Sequence, residues 1–213
     1  NNYNNNNNNY NNNNNSSESA WAVGRRGTAA AAIAAFALSL NRRAARATGG
    51  KELSELEAAL LLGVERSPLD RRSYQALTLE NGLRVLLASD PEGDKAAAAL
   101  DVHVGYFSDP SELPGLAHFC EHMLFLGTEA FPEENGFDTF LTASGGYSNA
   151  FTEEENTCFF FACQTAALSG ALQRFGSFFQ TPLLTASAAE REVNAINSEH
   201  LKNLQDDGFR LNQ

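Results

Sequence analysis

The sequence predicts an α+β fold in which a mostly antiparallel sheet packs against helices. Three observations point to it. Within Ala76–Ala88 the dipeptide Asn81-Gly82 separates two β-type runs, a strong hairpin signal because its turn residues accept positive φ. Leu100, Val102 and Val104 alternate with Asp101, His103 and Gly105, the period-two pattern of a half-buried strand. Apolar residues at helical spacing occur between and after the strands, and the strands follow one another through hairpins rather than regular crossovers.

Residues 1–15 are asparagine interrupted only by Tyr3 and Tyr10. Such a tract buries nothing to offset its ordering entropy, so residues 1–18 read as a disordered tail. In residues 19–66, five arginines flank the apolar run Thr28–Leu40, which is shorter than the roughly 20 residues a membrane span needs. No integral membrane segment is therefore expected. An Arg- and Ala-rich, acid-free stretch is consistent with a transit segment or a linker. The expected location is the cytoplasm, with a mitochondrion or other organelle as the alternative. Leu53, Leu56, Leu60 and Leu61 give Lys51–Glu65 a helical pattern, which Ser67-Pro68 ends. Residues 67–213 form the expected folded domain, of ordinary size for one core. The chain starts at Asn1, has Met123 as its single methionine and stops at Gln213 within a helical pattern, so it reads as a piece of a longer polypeptide.

The net charge of −11 divides into +4 for residues 1–50 and −15 for the remainder. A body this acidic repels phosphate backbones, and nucleic acid is not an expected partner. Cys120, Cys158 and Cys163 are odd in number and lack metal-knuckle spacing, which argues against a disulfide framework.

Along the domain, the hairpin and the Ala97–Tyr106 strand supply three strands of an expected antiparallel sheet. Pro114-Gly115 opens a helix whose apolar stripe is Leu116, Phe119, Cys120 and Met123, with Gly127 as its stop. A helix over Glu133–Ala143 follows, broken by Ser144-Gly145-Gly146. Tyr147–Phe151 and Thr157–Gln164 read as strands, the second aromatic-rich and buried. Helices over Ala166–Gln180 and Ala186–Leu211 complete the pattern, separated by Pro182.

The chemistry is concentrated in His118-Phe119-Cys120-Glu121-His122. Two histidines four apart on a helix project from one face and can share a metal ion. Glu121, three residues from His118, sits beside the same ion as a candidate base toward the attacking water and acid toward the leaving amine. A third ligand has to come from elsewhere. Glu192 and Glu199 lie two turns apart on one face of a later helix, and spacing alone does not choose between them. Taken alone, a two-histidine pentapeptide is as consistent with ordinary surface or core histidines.

The run HFCEHMLFLGTEAFPEENGFDTFL, then GGYSNAFTEEENT, then EREVNAINSEHLKN, together with SPLDRRSYQALTLENGLRVLLASDPEGDKAAAALDVHVG, resembles the insulysin/pitrilysin family of inverted-motif zinc metallopeptidases over Ser67–Gln213. The resemblance implies the fold of that family's N-terminal catalytic domain and one zinc per chain. It implies His118, His122 and Glu199 as zinc ligands, Glu121 as the base and Glu192 as a supporting acid. The segment Ser148-Asn149-Ala150-Phe151 matches the family's substrate-holding edge strand. The implied function is that of a zinc-dependent metalloendopeptidase hydrolysing peptides and small polypeptides with a metal-activated water. The implied partners are peptide substrates, a C-terminal homologous half in the full-length protein and, as a further option, a second copy in a homodimer. The acidic run Thr152–Asn156 departs from the family pattern and predicts a different substrate charge preference. Cys120 is expected as a small core residue on the metal-site helix. A non-catalytic relative would ordinarily have lost motif residues, and here all four remain.

Overall fold

The computed structural model describes residues 67–79 and 81–211. The tail, the Arg- and Ala-rich segment and the helix expected over Lys51–Glu65 lie outside the described residues.

Two sheets form. β1 (Ser73–Thr78) and β2 (Arg84–Ser89) pair antiparallel, in register from Ser73↔Ser89 to Thr78↔Arg84. β3 (Lys95–Val102), β4 (Tyr147–Thr152) and β5 (Thr157–Gln164) form a second antiparallel sheet in the order β3-β5-β4. The expectation that the hairpin and β3 share one sheet is therefore corrected. Leu83, Val85 and Leu87 of the hairpin pack their side chains on the core, and the Asp90–Asp94 linker, turned by the Glu92 N–H donating to Asp90 Oδ1 at 2.9 Å, leads into a strand whose partner is β5. The hairpin loop also differs from a two-residue turn. Leu79 N–H donates to Leu83 O and Gly82 N–H to Leu79 O, each at 2.8 Å, so three positions separate the paired residues. Gly82 takes the positive φ, 85°, while Asn81 Oδ1 accepts from Leu83 N–H at 3.1 Å.

The helices are α1 (Leu116–Leu124), α2 (Gly136–Ala143), α3 (Leu168–Phe178), α4 (Ala186–Asn203) and α5 (Asp207–Leu211). Phe159, Phe161 and Cys163 of β5 are buried, as are Ala96, Ala98 and Leu100 of β3, and with Phe137 and Leu141 of α2 and Leu172, Phe175 and Phe178 of α3 they build the core. Its phenylalanines meet mostly edge to face, as Phe137 does with Phe161 and Phe178, the arrangement ring quadrupoles favour.

Three helix boundaries move from their expected places. α2 starts at Gly136 because Gly136 N–H turns back onto Glu133 O at 2.9 Å. α3 is preceded by a 3₁₀ turn, Thr165–Ala167. The helix expected over Ala186–Leu211 divides, since Asp206 Oδ1 accepts from the N–H groups of Gly208 and Phe209 and so caps a new start. No described helix is long and apolar enough to cross a membrane.

Candidate metal centre and active site

α1 begins where the chain can turn sharply. Gly115 has φ 91°, and the Asp109 carboxylate accepts from Gly115 N–H at 2.6 Å and Ala117 N–H at 2.8 Å, satisfying donors that a helix start leaves free. The helix buries Ala117, Glu121, Met123 and Leu124. The expected stripe is corrected in part: Leu116 is exposed, and so is Cys120, which overturns its reading as a core residue. The inner face instead carries Glu121, a carboxylate whose burial is satisfied by Thr152 Oγ1 of β4 donating to Glu121 Oε2 at 2.5 Å.

One turn apart on α1, His118 and His122 bring their Nε2 atoms to 3.2 Å from each other. α4, capped at its start by Thr185 Oγ1 accepting from Ala188 N–H, packs across α1. Glu199 Oε2 lies 3.8 Å from His118 Nε2 and 3.6 Å from His122 Nε2. Glu192 Oε2 lies 3.0 Å from His122 Nδ1. The two glutamates thus address opposite nitrogens of one imidazole. That arrangement distinguishes them where sequence spacing did not.

Two ring nitrogens and a carboxylate oxygen converging on one point offer a set of electron-pair donors suited to a shared cation. Among the described residues, His118, His122 and Glu199 are the group able to hold a metal ion, with ligand atoms all within 4.8 Å of one another. A tetrahedral zinc with bonds of about 2.0–2.1 Å places its ligand atoms about 3.3 Å apart, close to the 3.2, 3.6 and 3.8 Å separations seen here. Two imidazoles and one carboxylate are also the donor set that hydrolytic zinc sites use. The residues fit zinc.

Electrostatics in the metal-free cluster follow from burial and from these contacts. Burial, helped by the charge of His122, pushes the His118 pKa down and favours the neutral imidazole. Burial also acts to lower His122, but the Glu199 and Glu192 carboxylates outweigh it and its pKa rises. The nearby His122 imidazole is the main cause that lowers Glu199, with His118 and Lys202 adding to the effect against burial. Burial raises Glu121, against the lowering effects of the Thr152 hydrogen bond and the His122 charge and with the charge of Glu199 adding to the rise, which moves this carboxyl toward the range useful to a general base.

β4 is paired with β5 on one side and has no second strand partner among the described residues. Ser148 Oγ donates to Asp138 Oδ1 at 2.8 Å, and Ala150 packs against the core. Asn149 is exposed and so is Phe151. With two side chains already engaged by the protein, what this edge offers a ligand is chiefly backbone. Its far end, Thr152, touches Glu121, so edge and cluster adjoin. Sequence reasoning did not single out Asp109, Thr152 or Tyr106, whose ring lies edge-on to His118 at 6.4 Å. Asp109 and Thr152 carry a weak signal in their neighbours, the helix-opening Pro114-Gly115 and the Ser148–Phe151 segment.

The profile of the family described as Insulinase (Peptidase family M16) matches residues 84–213. Similar proteins include an insulin-degrading enzyme of Drosophila melanogaster, 58% identical over 153 residues, which are 72% of this chain and 16% of that protein. An A-factor-processing enzyme of Saccharomyces cerevisiae is 52% identical over 145 residues, 68% of this chain and 14% of that protein. Among solved structures, the crystal structure of pitrilysin superposes with TM-score 0.64 at 39% identity, covering 68% of this chain and 16% of pitrilysin's. The chain thus spans about a sixth or less of the length of these relatives.

Proposed function

Because the chain belongs to the insulinase family of M16 peptidases, we propose that it forms the metal-holding part of a zinc-dependent metalloendopeptidase acting on peptides and small polypeptides. The single observation that carries the reading is the convergence of His118, His122 and Glu199 beside a buried, hydrogen-bonded Glu121. In this reading the three converging groups hold zinc and Glu192 orients His122 by accepting its Nδ1 proton.

When bound, zinc supplies Lewis acidity, which acidifies water and polarises a carbonyl. Glu121 takes the proton of the attacking water on its carboxylate and delivers it to the leaving amine. Thr152 holds one Glu121 oxygen by its hydroxyl and leaves the other for that proton. The outer edge of β4 at Ser148–Phe151 receives an extended peptide as an added strand, so affinity comes from backbone hydrogen bonds and tolerates varied sequences. Such a mode suits peptides or unfolded segments. In a full-length protein of the relatives' size, a C-terminal homologous half supplies further contacts.

The test measures zinc content and peptide hydrolysis in the protein at its full natural length. His118→Ala, His122→Ala and Glu199→Ala are expected to lose zinc. Glu121→Gln is expected to keep it while hydrolysis falls by at least about 10²-fold, the scale of general-base catalysis. Unchanged zinc in the three ligand variants, or near-normal hydrolysis by Glu121→Gln, overturns the reading.

A further inference from the structure

The 3₁₀ turn Tyr106–Ser108 passes beside the metal centre and carries an aromatic ring that the catalytic scheme does not use. Tyr106 meets the His118 ring edge-on, with centroids 6.4 Å apart and planes at 73°. It is nevertheless 43% exposed. A ring that large contributes little to folding where it stays open to solvent.

Its backbone, by contrast, is firmly held. Tyr106 N–H donates to Glu153 O at 2.9 Å, Phe107 N–H to Glu154 O at 2.8 Å, and Asp109 N–H to Tyr106 O at 3.1 Å. The preceding Gly105 approaches so closely that a Cβ there would lie 2.2 Å from Glu153 O. The turn is thereby fixed to the loop that leaves β4. Along that edge the order is Ser148–Phe151, then Thr152 with Glu121, then Glu153 with Tyr106. A strand laid on β4 meets the reacting centre near Thr152 and the Tyr106 ring just beyond it.

Building on the peptidase reading, we propose that Tyr106 is a specificity-determining residue whose ring walls the subsite at the Thr152–Glu153 end of β4 and takes a bulky apolar or aromatic side chain adjoining the scissile bond. Leu113, on the strap that leads from this turn into α1, and Leu116, the first residue of that helix, are exposed and apolar as well. Aromatic faces pack well against rings and branched aliphatic groups.

The test uses the zinc-loaded protein at full natural length and peptides that differ only at the positions flanking one cleavage site, with Phe, Leu, Ala, Lys or Glu. At one of those positions the wild type should favour Phe over Ala by about tenfold or more in kcat/KM, the scale of a hydrophobic subsite contact. Tyr106→Phe should keep that ratio and Tyr106→Ala should bring it to about unity, with zinc retained. A second readout is peptide binding in a Glu121→Gln background, where the same preference should appear in Kd and vanish with Tyr106→Ala. If the Ala variant loses zinc, Tyr106→Gln serves in its place with the same expected loss of preference. A Phe-over-Ala ratio unaffected by truncation in both readouts overturns the proposal, and a Tyr106-dependent preference for Lys overturns its apolar assignment. If no peptide is cleaved yet the binding preference still depends on Tyr106, the peptidase reading falls and the subsite stands.

Discussion

Replacing Glu192 tests how far the hydrogen bond on the remote nitrogen of His122 tunes the metal site. Glu192 Oε2 lies 3.0 Å from His122 Nδ1, and both side chains are largely shielded, at 19% and 20% exposure. Its carboxylate fixes the imidazole as the Nδ1–H tautomer and leaves Nε2, 3.6 Å from Glu199 Oε2, free to bind a cation. Glu192→Ala removes that orientation, and losses at such partners run about 10–100-fold in metal affinity, or roughly 1.4–2.7 kcal/mol. In Glu192→Gln the amide oxygen can still accept the Nδ1 proton. Only charge assistance is lost, a difference of about 1 kcal/mol and hence about fivefold. A pH dependence follows as well. Glu192 helps raise the His122 pKa above its ordinary 6.5, and a protonated imidazole competes with zinc. Removing Glu192 relieves that competition, so the loss should be largest well above the His122 titration and shrink on acidification. Competition against a chromogenic zinc chelator at several pH values measures this. Equal zinc affinity in Glu192→Ala and wild type at about pH 8, or a loss as complete as in Glu199→Ala, refutes the assignment.

Three further outcomes are expected. Leu141 is fully buried in the core, so Leu141→Ala should lower stability by about 2–5 kcal/mol in denaturant unfolding, and a loss below about 1 kcal/mol would mean the core is looser than described. Cys120 is exposed while Cys163 is buried, so an alkylating reagent should modify Cys120 first; faster labelling of Cys163 would contradict the packing. Burial, with Asp101, Glu153 and Glu121 nearby, lifts the Cys158 pKa from 9.0 to about 11. A thiol whose folded pKa is raised contributes stability below its unfolded pKa and loses it as pH climbs toward the folded value, so wild type and Cys158→Ala should converge in stability between those two values, and a constant gap across that window would refute the cause.

What was legible in the sequence was local. Helical periodicity put His118 and His122 on one face, and alternation marked the strands, because both patterns depend on residues a few positions apart. The choice between Glu199 and Glu192 was of another kind. It depends on which nitrogen of His122 each carboxylate reaches, and so on how α4 crosses α1, which spacing leaves open and family resemblance had to supply. Glu121 also defeated the apolar-stripe reading of α1. Its buried carboxylate is satisfied by Thr152, 31 positions along the chain, and a pattern of hydrophobicity does not show such a partner. The separate sheet of β1 and β2 escaped for a similar reason: alternation identifies a strand but not its neighbour.

α4 buries Ala188 as its one buried residue and leaves Val193 and Leu201 exposed. It nevertheless carries Glu192 and Glu199, which meet His118 and His122 on a distant stretch of chain. Little apolar burial anchors this helix, so an ion shared between α1 and α4 would close a loop of more than seventy residues in the way a cross-link does. Chelation would then loosen a structural element as well as stop a reaction. Amide exchange along Ala186–Asn203 should quicken on metal removal while the β5 strand stays protected, which makes the helix a reporter of occupancy that needs no substrate.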